Sequence, residues 1–276
     1  KQISRLKKYI EAEQDPVDDF SFPALGNLHR TIEKVEEAAS KLNLDNDKIN
    51  AALFWFWNGN PITDEAAFEA LKSGDIEAAN EIWGKLITKT DEEGKRFWKP
   101  VTGKNYSAFH NFSVLNIIRA NGNLHNAVVA SLYFLESDFV QKFVSSVVDE
   151  THKTSKKELQ LIFLNQLYTD LEANKKSLIP KFLEILNNQD FLAKQDFMIR
   201  FVQKLIEQIE HKIETAKNKR KASKANAAKA GEELFTSTAN DLNQLKSIVG
   251  ASDLKYTSIS DKVANEVLQC SIDYFN

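Results

Sequence analysis

One cysteine, one methionine, five prolines and nine glycines are all that the 276 residues contain of those types. The lone Cys270 excludes a disulfide framework within the chain and a cysteine metal cluster, and it fits a reducing compartment. The scarcity of glycine and proline argues against a β-rich fold, which needs turn residues about every 8–12 positions. Between Gly122 and Gly231 there is no glycine, and Pro180 is the only proline. No apolar run reaches the length of a membrane span, and no signal-peptide pattern is read at the start. A cytoplasmic location with no membrane partner is the resulting expectation.

An excess of one charge is lacking too. There are 36 Lys and Arg against 39 Asp and Glu, a net charge of −3. That balance gives no overall bias toward nucleic acid or an anionic membrane. The halves differ modestly: residues 1–150 carry 17 basic and 23 acidic residues, residues 151–276 carry 19 and 16. Catalytic patterns are missing as well. His29, His110, His125, His152 and His211 are scattered, and none has the i, i+4 spacing of a zinc helix. There is no G-x-S-x-G, Walker loop or dinucleotide fingerprint. Inward Glu-x-x-His pairs of the di-iron type are absent, and Glu207 with His211 reads as a surface pair. No metal, no cofactor and no enzymatic activity are expected. An active site assembled only by the fold stays open as the third reading.

What the chain does have is a soluble globular composition, 42% hydrophobic and 27% charged, and length for one large or two ordinary domains. Its apolar residues recur at spacings of three and four, which predicts an all-α protein. Two stretches organise it, Asn60 to Leu86 and Tyr106 to Ser137. Each is an amphipathic run, a glycine, a short polar residue and a second amphipathic run. Gly74 precedes Ala79 by five residues, and Gly122 precedes Ala127 by five. Glycine past a helix end can take a left-handed conformation. Asp75 or Asn123 then caps the next helix, and the alanine lets the pair approach closely. Repeats of this kind about 34 residues long are tetratricopeptide units. The two glycines are 48 residues apart, so an insertion of about 14 is needed, and 90–105 supplies it. An ordinary pair of αα-hairpins reads the pattern as well.

In chain order, Lys1 to Glu13 is a helix with Ile3, Leu6 and Ile10 on one face. It begins without a cap, and the last helix ends without a stop, so an excised region is expected. Asp15 to Leu28 is a linker whose Phe20, Phe22 and Leu25 dock on the helical body. Thr31 caps the next helix. Asp45 to Trp57 is read as another, ending in Phe54-Trp55-Phe56-Trp57. Such an aromatic end is either buried between helices or lines a pocket or partner groove. Thr63 is read as the cap of the first repeat helix, with Asp64 and Glu65 suited to its dipole. Trp98, in a loop beside Arg96 and Lys99, either stacks on a ligand or pins the loop to the core. Thr151 to Glu158 is a polar linker and the candidate boundary between domains 1–150 and 151–276. Beyond it come a hairpin with Pro180 in a first turn, and a long helix with a stripe of Met198, Phe201, Val202, Leu205, Ile209 and Ile213.

Two candidate binding surfaces follow. Trp55, Trp57, Phe112, Asn116 and Arg119 form the candidate partner face, where Asn and Arg can hold a carboxylate. A solvated helix face is the plainer alternative. The run 212–229 has seven basic residues against Glu214. Lys217, Lys219, Arg220, Lys221 and Lys224 make it a candidate patch for nucleic acid or an acidic partner. It lacks interleaved aromatics for stacking bases, and a solvated helix extension is the plainer account.

The segment ALFWFWNGNPITDEAAFEALKSGDIEAANEIW, Ala52 to Trp83, resembles the region that follows a divergent J-domain in a group of bacterial proteins with tetratricopeptide-like bodies. The final stretch from Asp241 to Asn276 resembles their later part. Together these cover about a quarter of the chain. The resemblance implies that Lys1 to Glu13 is the second J-domain helix, and that the protein is a bacterial, cytoplasmic, helical scaffold. A working J-domain carries His-Pro-Asp after that helix. Here the chain reads Glu13-Gln14-Asp15-Pro16, so no co-chaperone residue carries over. The expectation is an all-α protein of helical hairpins followed by a bundle on a long helix. Its function is expected to be a non-catalytic protein–protein interaction scaffold, associated with chaperones. Nucleic-acid binding through 212–229 is the alternative.

Overall fold

The computed structural model describes residues 2–14, 21–26, 29–149 and 151–275. Phe20 lies outside them. The protein is all-α: the described residues hold thirteen α-helices and one small two-stranded sheet. They group into two compact units, Lys1–Ala193 and Lys194–Asn276. The sequence pattern placed a division at 150/151. Contacts instead group 151–193 with the first unit, because its two helices pack onto elements there.

In the first unit α1 (Gln2–Glu11) packs on α2 (Ile32–Ser40). Thr31 caps α2, its hydroxyl accepting from the Lys34 N–H at 3.2 Å. The next helices are α3 (Asp45–Leu53), α4 (Pro61–Lys72) and α5 (Ile76–Ile87), the last two forming a hairpin. Strands β1 (Thr88–Thr90) and β2 (Arg96–Trp98) pair antiparallel, with Thr88 opposite Trp98. A second hairpin follows, α6 (Tyr106–Ile118) and α7 (Leu124–Glu136). Then come α8 (Val140–Val147), α9 (Lys156–Asn174) and α10 (Ile179–Asn187). Helix α9 opens on a capping box of Ser155 and Glu158 and packs on α3 and α7, while α10 packs on α7. Every residue of α6 from Tyr106 to Asn116 is buried, the polar Ser107, His110, Asn111, Ser113 and Asn116 among them.

The two glycine turns work differently. Gly74 has φ +89°, the region that glycine alone enters freely. Gly122 has no such φ; a Cβ there would lie 1.9 Å from the Asn116 carbonyl oxygen. One is required by backbone conformation, the other by space. Asp75 and Asn123 cap α5 and α7, accepting from the N–H groups of Ala78 and Asn126 at 2.9 and 3.1 Å. Ala79 and Ala127 are fully buried, as a close helix pair needs.

Three local expectations are corrected. Helix α3 stops at Leu53, so the aromatic run leaves the helix. In a helix four consecutive rings would crowd one end. Off the helix each meets a different neighbour. Phe54 stacks on Phe163 at 5.4 Å, and Phe56 on Trp83 at 5.7 Å. Helix α4 begins at Pro61, two residues before Thr63, since proline suits a first helical position. The expected loop at 90–105 contains β2 of the small sheet. Trp98 packs there against Phe109, Phe112 and Tyr133, pinning the hairpin to α6 and α7. Phe22 docks as expected, 3% exposed and 5.2 Å from Phe56.

In the second unit α11 (Lys194–Ala222), α12 (Ala227–Val249) and α13 (Leu254–Phe275) pack pairwise as a three-helix bundle. The expected stripe supplies buried Phe201, Val202, Leu205 and Ile209, while α12 and α13 add Leu234, Leu245, Ile259 and Val263. Helix α12 passes close to α13 at Gly231, where a Cβ would sit 2.9 Å from Cβ of Cys270.

Candidate functional site

Polar residues in an apolar helix need partners, because an unpaired buried group is costly. Helix α6 carries several, and three of them hold the loop after α3. Tyr106 donates its hydroxyl to the Gly59 carbonyl. His110 Nε2 lies 2.8 Å from the Trp55 carbonyl, which fixes the tautomer with the proton on Nε2. Asn111 copies a backbone strand: its Oδ1 accepts from the Trp57 N–H at 2.8 Å, and its Nδ2 donates to the Trp57 carbonyl at 2.9 Å.

Beside this ladder sits Asp64, fully buried on α4. Its Oδ1 accepts from Trp83 Nε1 at 3.1 Å and its Oδ2 from the Asn60 N–H at 3.3 Å. Burial pushes the carboxyl above its ordinary range; Ser107, the Asn60 N–H, Trp83 and Asn111 hold that shift back. Ser107 does so from close by, although its buried hydroxyl makes no hydrogen bond of normal geometry. Burial and the nearby Asp64 charge raise the Tyr106 phenol. Burial drives His110 down to about 4, partly offset by its bond to the Trp55 carbonyl. The imidazole is therefore neutral at pH 7.

A carboxyl, an imidazole and a phenol with shifted pKa values are groups that acid–base catalysis uses. Here their hydrogen bonds close on this chain's own backbone and side chains. Trp57 covers the ladder, packed against Tyr106, His110, Phe134 and Phe143. The arrangement fixes a loop to a helix. Among the described residues no group of three or more His, Cys, Asp or Glu is placed to hold a metal ion.

The five candidate partner-face residues do not share one open surface. Trp55 is 36% exposed, whereas Phe112 and Asn116 are 4% and 5% exposed. Asn116 donates to Asn80 Oδ1 and to the Phe112 carbonyl, both at 2.9 Å, and accepts from the Asn123 N–H at 3.1 Å. Arg119 does hold a carboxylate, but it is Glu77 of α5, at 3.1 Å. Phe112, Asn116 and Arg119 thus line the α5–α6 contact.

The basic segment is also largely paired. Lys217 meets Glu214 at 3.3 Å, and Lys219 meets Glu233 at 2.6 Å. Arg220 binds Glu266 at 2.8 Å and also Asp273, which draw its pKa upward and hold its side chain 11% exposed. Lys221 and Lys224 are exposed. Counting charges along 212–229 missed these acids because Glu233, Glu266 and Asp273 stand 14, 46 and 53 residues from their partners.

No protein family model, curated protein or solved structure matches the chain.

Two open grooves lie on the first unit. One, of about 430 Å³, runs along α4 past Pro61, Ile62, Phe68 and the carboxylates of Glu65 and Glu69. Its Ile62 is 88% exposed. The other, of about 470 Å³, lies between the α2–α3 turn and α9. Neither is lined by Asp64, His110 or Asn111. Sequence reasoning found the aromatic and basic runs but missed this ladder. Its one signal was the presence of Ser107, His110 and Asn111 among the large apolar residues of α6. It missed both grooves. The one against α9 joins residues more than a hundred positions apart. The one along α4, although confined to residues 58–72, depends on which face of that helix stays uncovered.

Proposed function

We propose that the protein is a non-catalytic helical scaffold that engages a protein partner through the outer faces of its first unit. One observation carries this reading. The polar groups best suited to chemistry are consumed in holding a loop to α6, while the open surface includes grooves lined by both apolar and charged side chains. Such grooves suit extended or helical peptide segments, which read pockets by side chain. The two glycine-turn hairpins support a tetratricopeptide type of body. The likeness to J-domain-associated helical proteins makes a chaperone-linked partner the first class to seek. A cytoplasmic setting belongs to the same proposal.

The test uses the full chain as bait against the soluble extract of its source cell, with Ile62→Glu as control. Ile62 is 88% exposed, so its replacement leaves the fold intact. One partner recovered in every replicate, and lost or weakened with Ile62→Glu, is the expected result. Recovery of nothing reproducible by the unmodified chain would remove the proposal. Nucleic-acid binding is the second reading, and it rests on exposed Lys221 and Lys224 after the pairing of Lys217, Lys219 and Arg220. Two exposed lysines, one of them near the Asp273 carboxylate, predict a shallow dependence of affinity on salt.

A further inference from the structure

The groove between the α2–α3 turn and α9 has an apolar floor and acceptors around it. Leu42, Ala51 and Phe54 form the floor, with Asp47, Asn50 and Asp170 at its sides. Phe54 is half-buried and held flat by stacking on the buried Phe163 at 5.4 Å. The side-chain amides on the wall are polarised in one direction. Gln166 Nε2 donates to Asp170 Oδ1 at 3.0 Å, which turns Gln166 Oε1 to accept from Asn50 Nδ2, also at 3.0 Å. A carboxylate only accepts, so it dictates the sense of the whole relay. The relay ends on Asn50 Oδ1, a buried acceptor with no hydrogen-bond partner. Asp47 has no side-chain partner among the described residues. Lys41, the one cation among the described residues that line the groove, is held at 2.6 Å by Glu37. The wall therefore offers acceptors and a surplus of negative charge.

We propose that this groove receives an arginine side chain from a partner peptide. The inference rests on the scaffold reading above and specifies which part of the surface is used. An arginine fits on three counts. Its stem would lie on Leu42 and Ala51. Its guanidinium, planar and weakly hydrated, would stack on the face of Phe54. Its N–H donors would meet the carboxylates of Asp47 and Asp170. An acidic side chain would add acceptors where acceptors are already in surplus.

The experiment is a titration of the full chain, labelled with nitrogen-15, with N-acetyl-arginine methylamide. The side-chain amide signals of Asn50 and Gln166 are the readout. Saturable shifts of both are expected, with the citrulline analogue, equal in shape but uncharged, producing none at the same concentrations. Asp47→Asn together with Asp170→Asn keeps the size and the acceptor for Gln166, and is expected to weaken the arginine probe about tenfold. Thermal melts of the double variant check that it folds. Should it not, Ala51→Gln, which fills an exposed floor position, gives the same readout by blocking entry. Equal shifts with citrulline, or no saturable shift with arginine, overturn the assignment. If the bait experiment yields a partner whose affinity the double variant leaves unchanged, the groove assignment falls while the scaffold reading stands. If no partner is found and the probe still saturates the groove, the scaffold reading falls alone.

Discussion

His110 illustrates how one residue can make the fold sensitive to pH. Unfolded, its imidazole takes a proton near 6.5; folded, only near about 4, because burial disfavours the charged form. Between those values the unfolded chain binds the extra proton, so stability falls as pH falls through that window. The loss amounts to about 3 kcal/mol when complete. Asp64 acts in the opposite sense. Its folded carboxyl keeps a proton above the ordinary aspartate value of 3.8, so the stability it adds below that value is lost as pH rises past it. The two are separated by His110→Gln, which retains an N–H donor for the Trp55 carbonyl but does not titrate. Unfolding in urea, followed by tryptophan fluorescence at pH 7 and at pH 4, measures the difference between the two proteins. We expect the advantage of the native histidine to shrink by about 3 kcal/mol toward acid. A difference that stays constant with pH contradicts the burial argument. The ring's position in helix α6 was readable from sequence. Its partner, the Trp55 carbonyl 55 residues away, was not.

At the scale of elements, the same short pattern produces two hairpins by different means. Gly74 and Gly122 both follow an amphipathic run and precede a capping residue. Only Gly74 needs a positive φ, and Gly122 needs room beside the Asn116 carbonyl. Gly74→Ala should therefore cost about 1–2 kcal/mol, the ordinary penalty for a left-handed alanine. Gly122→Ala must displace backbone rather than a flexible side chain, and about 3 kcal/mol is expected. Equal losses in urea denaturation would show that the close approach at Gly122 relaxes freely. Helix starts were legible at several local caps, as at Thr31, Asp75 and Asn123, but the capping box of Ser155 and Glu158 was read as linker. The end of α3 was not, because Phe54 to Trp57 are drawn out of helix by α4, α6 and α9, each of which offers a different ring or aromatic pocket. The candidate partner face failed for a related reason. Spacing placed Phe112, Asn116 and Arg119 on one side of α6 correctly, but only packing could say that α5 covers that side.

On the scale of the whole molecule, the chain forms two units with separate chemical character. All four tryptophans, at 55, 57, 83 and 98, belong to the first. The second is a three-helix bundle in which Arg220 joins α11 to two carboxylates of α13. A fragment from Lys194 to Asn276 is expected to be strongly helical by circular dichroism and to melt cooperatively. Arg220→Ala in that fragment should lower its stability by about 1–2 kcal/mol, less than a fully buried pair because the site is partly open to water. A fragment without a cooperative transition would mean that the second unit is not self-sufficient. No helix among the described residues is long and apolar enough to cross a membrane, in keeping with the absence of long apolar runs in the sequence.

The sequence by itself determined the helical class, most of the helices and the two glycine hairpins. Those follow from apolar spacing and from capping groups that act within a few residues, where chain connectivity guarantees the neighbour. Only the tertiary structure decided which polar residues are sealed, which charges are cancelled and where the surface opens. Asp64 is buried because Trp83 and the loop at Asn60 surround it. Much of the basic run is paired because α12 and α13 return acids to it. The acceptor-rich groove exists because α9 lies beside α3. The last two depend on residues brought together across long stretches of chain, the first on how a hairpin and its preceding loop close over one side chain. Burial and charge pairing are properties of that proximity, which no local pattern encodes.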